Sequence, residues 1–171
     1  MGMYDTFVIV GSSELKCAHG HPVTKAQSKD LGCDLDTYYL FDGELWSGEI
    51  RGGCAERFER RGDDLVCVNE RELHRVVLTD TVEIHTECNA CDPVYILKGP
   101  GSWGGERTDK RRPWVELLLT FAKGKLVGVE PSSASQTRDQ LRAQLVAGGS
   151  AVLADNDPII AAEKVLREAG R

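Results

Sequence analysis

The chain has 171 residues, 41% of them hydrophobic and 28% charged, a balance that fits one globular domain with a core of its own. No apolar run approaches the ~18 residues of a membrane-spanning helix, and the N-terminus lacks the basic and apolar regions of a signal peptide. A cytoplasmic protein with no membrane attachment is therefore expected; Gly2 and Thr6 only partly match a myristoylation pattern.

The formal net charge of −6 is unevenly spread. Residues 1–100 carry 10 Lys/Arg and 18 Asp/Glu, whereas residues 101–171 carry 11 and 9. An acidic first part disfavours nucleic acid as a partner, because such affinity rests on basic groups. It leaves room for a protein partner with a basic face, although a solvated acidic surface explains the same charge.

In chain order, residues 6–10 (Thr-Phe-Val-Ile-Val) predict a strand that Gly11-Ser12-Ser13 ends. Residues 16–22 are compact and rich in Cys, His and Gly. Residues 24–29 are extended. A Tyr- and Leu-rich strand over 35–41 turns at Asp42-Gly43 and returns through Leu45-Trp46. Residues 48–62 are expected as loop or a ragged edge, and Leu65-Val66-Cys67-Val68 as another strand. Residues 73–87 are β-rich with a break near Thr79-Asp80-Thr81. Cys88-Asn89-Ala90-Cys91 interrupts the pattern, and Val94 to Leu97 resume it.

Residues 98–113 have the least ordered composition, with Trp103 in a Gly-rich loop and Lys110-Arg111-Arg112 expected as solvated charge. Trp103 fits either a partner anchor or a core residue. Residues 114–121 and 125–130 then predict a hairpin about Lys123-Gly124. The run Leu117 to Leu119 breaks alternation, as in a strand buried on both faces. Beyond Pro131 the pattern becomes helical. Ser133-Ala134-Ser135-Gln136 matches a capping box before Leu141 and Leu145, and Gly148-Gly149 predicts the stop. Asp157-Pro158 predicts a second helix start, with an apolar stripe of Ile159, Ala162, Val165 and Leu166.

Six cysteines, Cys17, Cys33, Cys54, Cys67, Cys88 and Cys91, occur without an export signal. In a reducing compartment metal binding or simple burial explains them better than disulfides. A Cys-x-x-Cys turn between strands lets two thiolates face one point, as tetrahedral zinc requires. Cys88 and Cys91 supply half of such a site. Cys17-Ala18-His19-Gly20-His21 is the natural donor of the rest, so the expected ligands are Cys17, His19 or His21, Cys88 and Cys91, with His85 able to replace His19. Cys88 and Cys91 also fit a redox pair, against which the flanking β pattern argues, or two packed thiols. Cys33, Cys54 and Cys67 are expected as buried small side chains.

The opening Met1-Gly2-Met3-Tyr4-Asp5-Thr6, the Lys16-Cys17 segment, and Gln27-Ser28-Lys29-Asp30-Leu31-Gly32-Cys33 with Asp36-Thr37-Tyr38 resemble a set of small uncharacterised bacterial and phage-encoded proteins. These start Met-Gly-Met-(Tyr/Phe)-Asp, carry a Cys-Pro-x-Cys-type knuckle, and then a Gln-Thr-Lys-Asp-Leu-like stretch. The resemblance covers about the first 45 residues, with looser echoes at the second Cys pair and the Trp114 hairpin. It implies a zinc-ribbon-like site and no particular activity. Here Ala18 stands where Pro is usual, and no second Cys follows Cys17 closely.

The resemblance also flags Gln27-Ser28-Lys29-Asp30 as a polar recognition surface, beside the plainer reading of turn and strand-edge chemistry. Asp34, Asp36, Asp42 and Glu44 cluster in sequence, but they flank a hairpin, where acidic residues are common. No nucleophile elbow, phosphate-binding loop or His-Glu-x-x-His segment is present.

These observations predict an α+β fold: a β-rich body with zinc-ribbon-like knuckles over 1–130, and two short C-terminal helices over 131–171 packed on it. The expected function is that of a non-catalytic, zinc-stabilised accessory or protein-interaction module of phage or mobile-element origin. The alternatives are a small enzyme with a polar site near Gln27 to Tyr38, and a zinc-dependent nucleic-acid-binding protein.

Overall fold

The computed structural model describes residues 4–10, 15–48, 58–61, 64–67, 71–98 and 107–169. Gly2, Cys54, Trp103 and most of the 48–62 segment fall outside them. The chain groups into two compact units, Met1–Cys88 with Trp114–Ser135, and Asn89–Pro113 with Gln136–Arg171.

The first unit contains β1 (Asp5–Val10), β2 (Lys25–Ser28), β3 (Thr37–Phe41), β4 (Glu44–Ser47), β5 (Phe58–Arg61), β6 (Asp64–Cys67), β7 (Arg71–Arg75), β8 (Thr81–Glu87), β11 (Trp114–Ala122) and β12 (Lys125–Pro131). Seven of these, in the order β12-β11-β8-β2-β1-β3-β4, close into a barrel where β12 meets β4. Closure runs through Lys125 opposite Glu44 and through two backbone bonds, Leu45 N to Gly124 O at 3.1 Å and Leu126 N to Gly43 O at 2.7 Å. A closed barrel removes the free edges of an open sheet.

Alternation decides the core. Phe7 and Ile9 on β1, Val82 and Ile84 on β8, and Val115, Leu117, Leu119 and Phe121 on β11 are buried at every second position. Leu118 is only half-buried, so β11 buries one face and not two. Double-sided burial belongs instead to the β3–β4 hairpin. Leu40 opposes Leu45 on one face, and Tyr39 opposes Trp46 on the other. Tyr39 and Trp46 cluster with Leu73, Val8 and Phe41. The far edge of β4 is shared, pairing with β12 at Glu44 and with β7 at Trp46 and Ser47. β5, β6 and β7 continue from it as an antiparallel meander.

Both hairpin turns follow the sequence prediction. Asp42 (φ 48°) with Gly43 (φ 76°), and Lys123 (φ 51°) with Gly124 (φ 75°), place two successive residues in the left-handed region that two-residue hairpins need. Gly124 has a second reason to be glycine: a Cβ there would lie 2.5 Å from the Val76 carbonyl oxygen.

In the second unit, β9 (Val94–Lys98), β10 (Arg107–Arg111) and β13 (Ala151–Val152) form a sheet in the order β10-β9-β13. Residues 107–111 are thus a strand, where the composition gave no sign of one. Helices α1 (Arg138–Ala147) and α2 (Pro158–Ala169) complete the unit. The capping box of α1 is Thr137 with Gln140, four residues beyond the expected Ser133 with Gln136. The upstream serines are engaged by β11: the Ser132 hydroxyl binds the Glu116 carboxylate, and the Ser135 hydroxyl bonds the Glu116 backbone. Asp157 caps α2 as predicted, accepting from Ile159 N at 2.9 Å. The expected stripe of α2 is not its buried face, since Ile160 is buried while Ile159 and Val165 are exposed.

Candidate metal centre

Two turns at one end of the barrel carry the cysteines and histidines. β2 runs antiparallel to β8, with Gln27 opposite His85. The chain entering β2 therefore lies beside the chain leaving β8. This is why residues 17–21 meet residue 88, although the two stretches are far apart in sequence.

The first turn is built by its backbone. Lys16 pairs with Pro22, Cys17 N donates to His21 O at 2.9 Å, and Gly20 N donates to Cys17 O at 2.9 Å. Gly20 sits at φ 80°, which the reversal requires and which glycine adopts without steric cost. Leu15 and Val23, both buried, anchor the flanks through Val23 N to Leu15 O at 2.9 Å. The His19 N–H points at the Cys17 sulfur, 3.3 Å away, a contact that favours a thiolate. The second turn, Cys88-Asn89-Ala90-Cys91, begins where β8 ends. Arg112 Nη1 donates to its Asn89 and Cys91 carbonyls at 2.7 and 2.6 Å.

The two turns converge. His21 Nδ1 lies 3.6 Å from Cys17 Sγ and 3.8 Å from Cys88 Sγ. With Cys91, the four ligand atoms all lie within 4.8 Å of one another, and the three cysteines are buried. Such a group could hold a metal ion. Tetrahedral zinc, with Zn–S of about 2.3 Å and Zn–N of about 2.0–2.1 Å, sets sulfur and nitrogen about 3.5 Å apart. The observed separations fit that figure.

No protein-family model matches the chain, and no curated protein or solved structure matches it.

The remaining expected residues divide clearly. His19 is exposed and lies outside the four-residue group, its ring stacked on that of His21 at 6.3 Å between centroids. His85 stacks on Trp114 and meets the edge of Tyr4, with both centroids at 5.3 Å. The Cys33 thiol donates to Lys29 O at 3.1 Å. Glu44 ion-pairs with Arg75 at 3.3 Å and lies 4.0 Å from the Lys125 ammonium.

In the Gln27 to Tyr38 stretch three polar side chains bind backbone. Ser28, buried, donates to Glu83 O at 2.6 Å, Asp30 accepts from Glu83 N at 2.7 Å, and the Tyr38 hydroxyl donates to Leu31 O at 3.3 Å.

Two residues that organise these loops are not expected from the motifs. Asp5 is fully buried and accepts from the backbone N–H groups of Cys33, Asp34 and Asp36 at 2.9, 3.1 and 3.1 Å. It thereby fixes a loop in which Cys33 and Leu35 both have positive φ, 61° and 64°. Its signal is present in the sequence: Asp5 has the same strand parity as Phe7 and Ile9. Arg112 gave no such signal, since it reads as one of three adjacent cations.

Proposed function

We propose that the protein is a non-catalytic, zinc-stabilised interaction module, with Cys17, His21, Cys88 and Cys91 as the zinc ligands. The observation that carries this reading is the approach of His21 Nδ1 to two thiols at tetrahedral spacing. Three soft sulfur donors and one imidazole suit zinc. Four protein donors fill a tetrahedron and leave no position for substrate, which supports a structural role for the ion. Zinc would cross-link turns distant in sequence, and its binding energy would add to folding. The reading includes a reducing, cytoplasmic setting, in keeping with Cys17, Cys33, Cys88 and Cys91 forming no disulfide among the described residues, and the resemblance to bacterial and phage-encoded proteins with zinc-ribbon-like sites. Among the described residues, no helix is long and apolar enough to cross a membrane.

Metal analysis of the purified protein tests this. About one zinc per chain is expected, lost together with thermal stability in Cys88→Ser. A metal-free chain that melts at the same temperature as Cys88→Ser refutes the reading.

A further inference from the structure

The outer face of the barrel carries a patch that the metal centre does not use. Outward positions alternate with the buried ones along each strand. On β8 they are Glu83, His85 and Glu87; on β11 they are Trp114, Glu116 and Leu118. Register sets Glu87 beside Trp114, and Glu83 and Glu130 on either side of Leu118. Two exposed carboxylates, Glu83 and Glu87, thus flank a half-exposed row of rings, Tyr4, His85 and Trp114, and the exposed Glu130 lies farther along, beside Leu118. The row already receives a cation at one end, where the Lys29 ammonium lies 4.7 Å from the centroid of the Tyr4 ring.

We propose that this face docks a basic, arginine-containing peptide segment of a partner protein. The inference rests on the interaction-module reading and gives it a surface and a partner class. A guanidinium is planar, so it can lie flat on an exposed ring face of this row while its edge donates to a flanking carboxylate; an ammonium offers neither the flat contact nor the in-plane fork. The charge fits, because residues 1–100 carry 18 acidic against 10 basic side chains. Phosphates would meet Glu83, Glu87 and Glu130, which disfavours nucleic acid. Size points to a peptide. From Trp114 to Leu118 the patch runs roughly 13 Å, about four residues of extended chain. A folded partner covers roughly 800 Å² on each side.

Fluorescence titration of the zinc-loaded protein with an Arg-Gly repeat peptide, its Lys-Gly counterpart and a single-stranded oligonucleotide tests the proposal. The arginine peptide should bind, more tightly than the lysine peptide and more weakly as salt rises. The double variant Glu83→Lys/Glu87→Lys changes exposed side chains only, and should weaken binding about tenfold or more with zinc content and melting temperature unchanged. Trp114→Ala should weaken it similarly. No binding of the arginine peptide, equal binding of both peptides, binding unaffected by the double variant, or preference for the oligonucleotide would each overturn the proposal. Loss of zinc stoichiometry with peptide binding intact would instead refute the zinc reading alone.

Discussion

His21 Nδ1 lies 3.8 Å from Cys88 Sγ, across a separation of 67 residues. The neighbouring His19 uses its backbone N–H, not a place in the ligand group, to meet Cys17. Two histidines on one turn therefore have different expected phenotypes. His21→Ala should lose zinc and melt lower; if zinc stands a thousandfold above its Kd, the folded state loses about 4 kcal/mol. His19→Ala should keep zinc. Chelator competition on both variants checks the pair, and equal loss in the two would reject the assignment.

Arg112 holds the Cys88 turn through two carbonyls. A zinc ion with three thiolates carries a net negative charge, which a nearby guanidinium offsets. Arg112→Gln should lower zinc affinity about tenfold, in line with other groups that orient metal ligands. Arg112→Lys should recover only part of it, because an ammonium on a shorter, flexible stem holds its donors in place less rigidly than a planar guanidinium. The measurement is the chelator concentration that strips half the metal.

Asp5 accepts three backbone N–H groups from the 33–36 loop. Asp5→Ala leaves those donors to water that must enter beside a buried strand, and should cost about 3 kcal/mol. Urea unfolding gives the value directly. A loss below half a kcal/mol, on the order of an ordinary surface substitution, would show that the loop holds itself.

Gly43 and Gly124 have nearly the same φ, 76° and 75°, but different surroundings. A Cβ at Gly43 would meet Leu126 Cβ at 3.9 Å, an ordinary contact, whereas at Gly124 it would strike Val76 O at 2.5 Å. Gly43→Ala should cost about 1 kcal/mol from backbone conformation alone. Gly124→Ala should cost about 2–3 kcal/mol, because the β12–β4 closure must shift as well. The difference between their thermal midpoints isolates the steric part.

The Tyr38 hydroxyl is held above its ordinary value of 10.0, first by burial and then by the nearby Asp5, Asp36 and Asp34 carboxylates. Since the folded-state value is the raised one, the associated stability is complete below pH 10.0 and is lost as pH climbs through the folded value. Ultraviolet difference titration of the parent protein against Tyr38→Phe should assign a late-ionising phenol to Tyr38. The same variant should flatten the alkaline limb of the stability curve. A difference signal for Tyr38 at the ordinary value would contradict this.

The sequence by itself determined the local pieces. Period-2 burial on β1 and β8, the Asp42-Gly43 and Lys123-Gly124 turns, and the Asp157 cap are set by side-chain parity, left-handed backbone and orphan helix donors, all of which act within a few residues. The Cys88 pair and its likeness to a half-site were readable on the same grounds. Only tertiary structure decided the rest. Which histidine faces Cys88 depends on β2–β8 pairing, and the Ser133 motif that predicts a helix start has its Ser135 bonded instead to the Glu116 backbone on β11. The closure of seven strands rests on β12 reaching β4 across 81 positions of chain, from Glu44 to Lys125. Contacts of that kind leave no periodic trace, because each is fixed by where other strands have already placed the backbone.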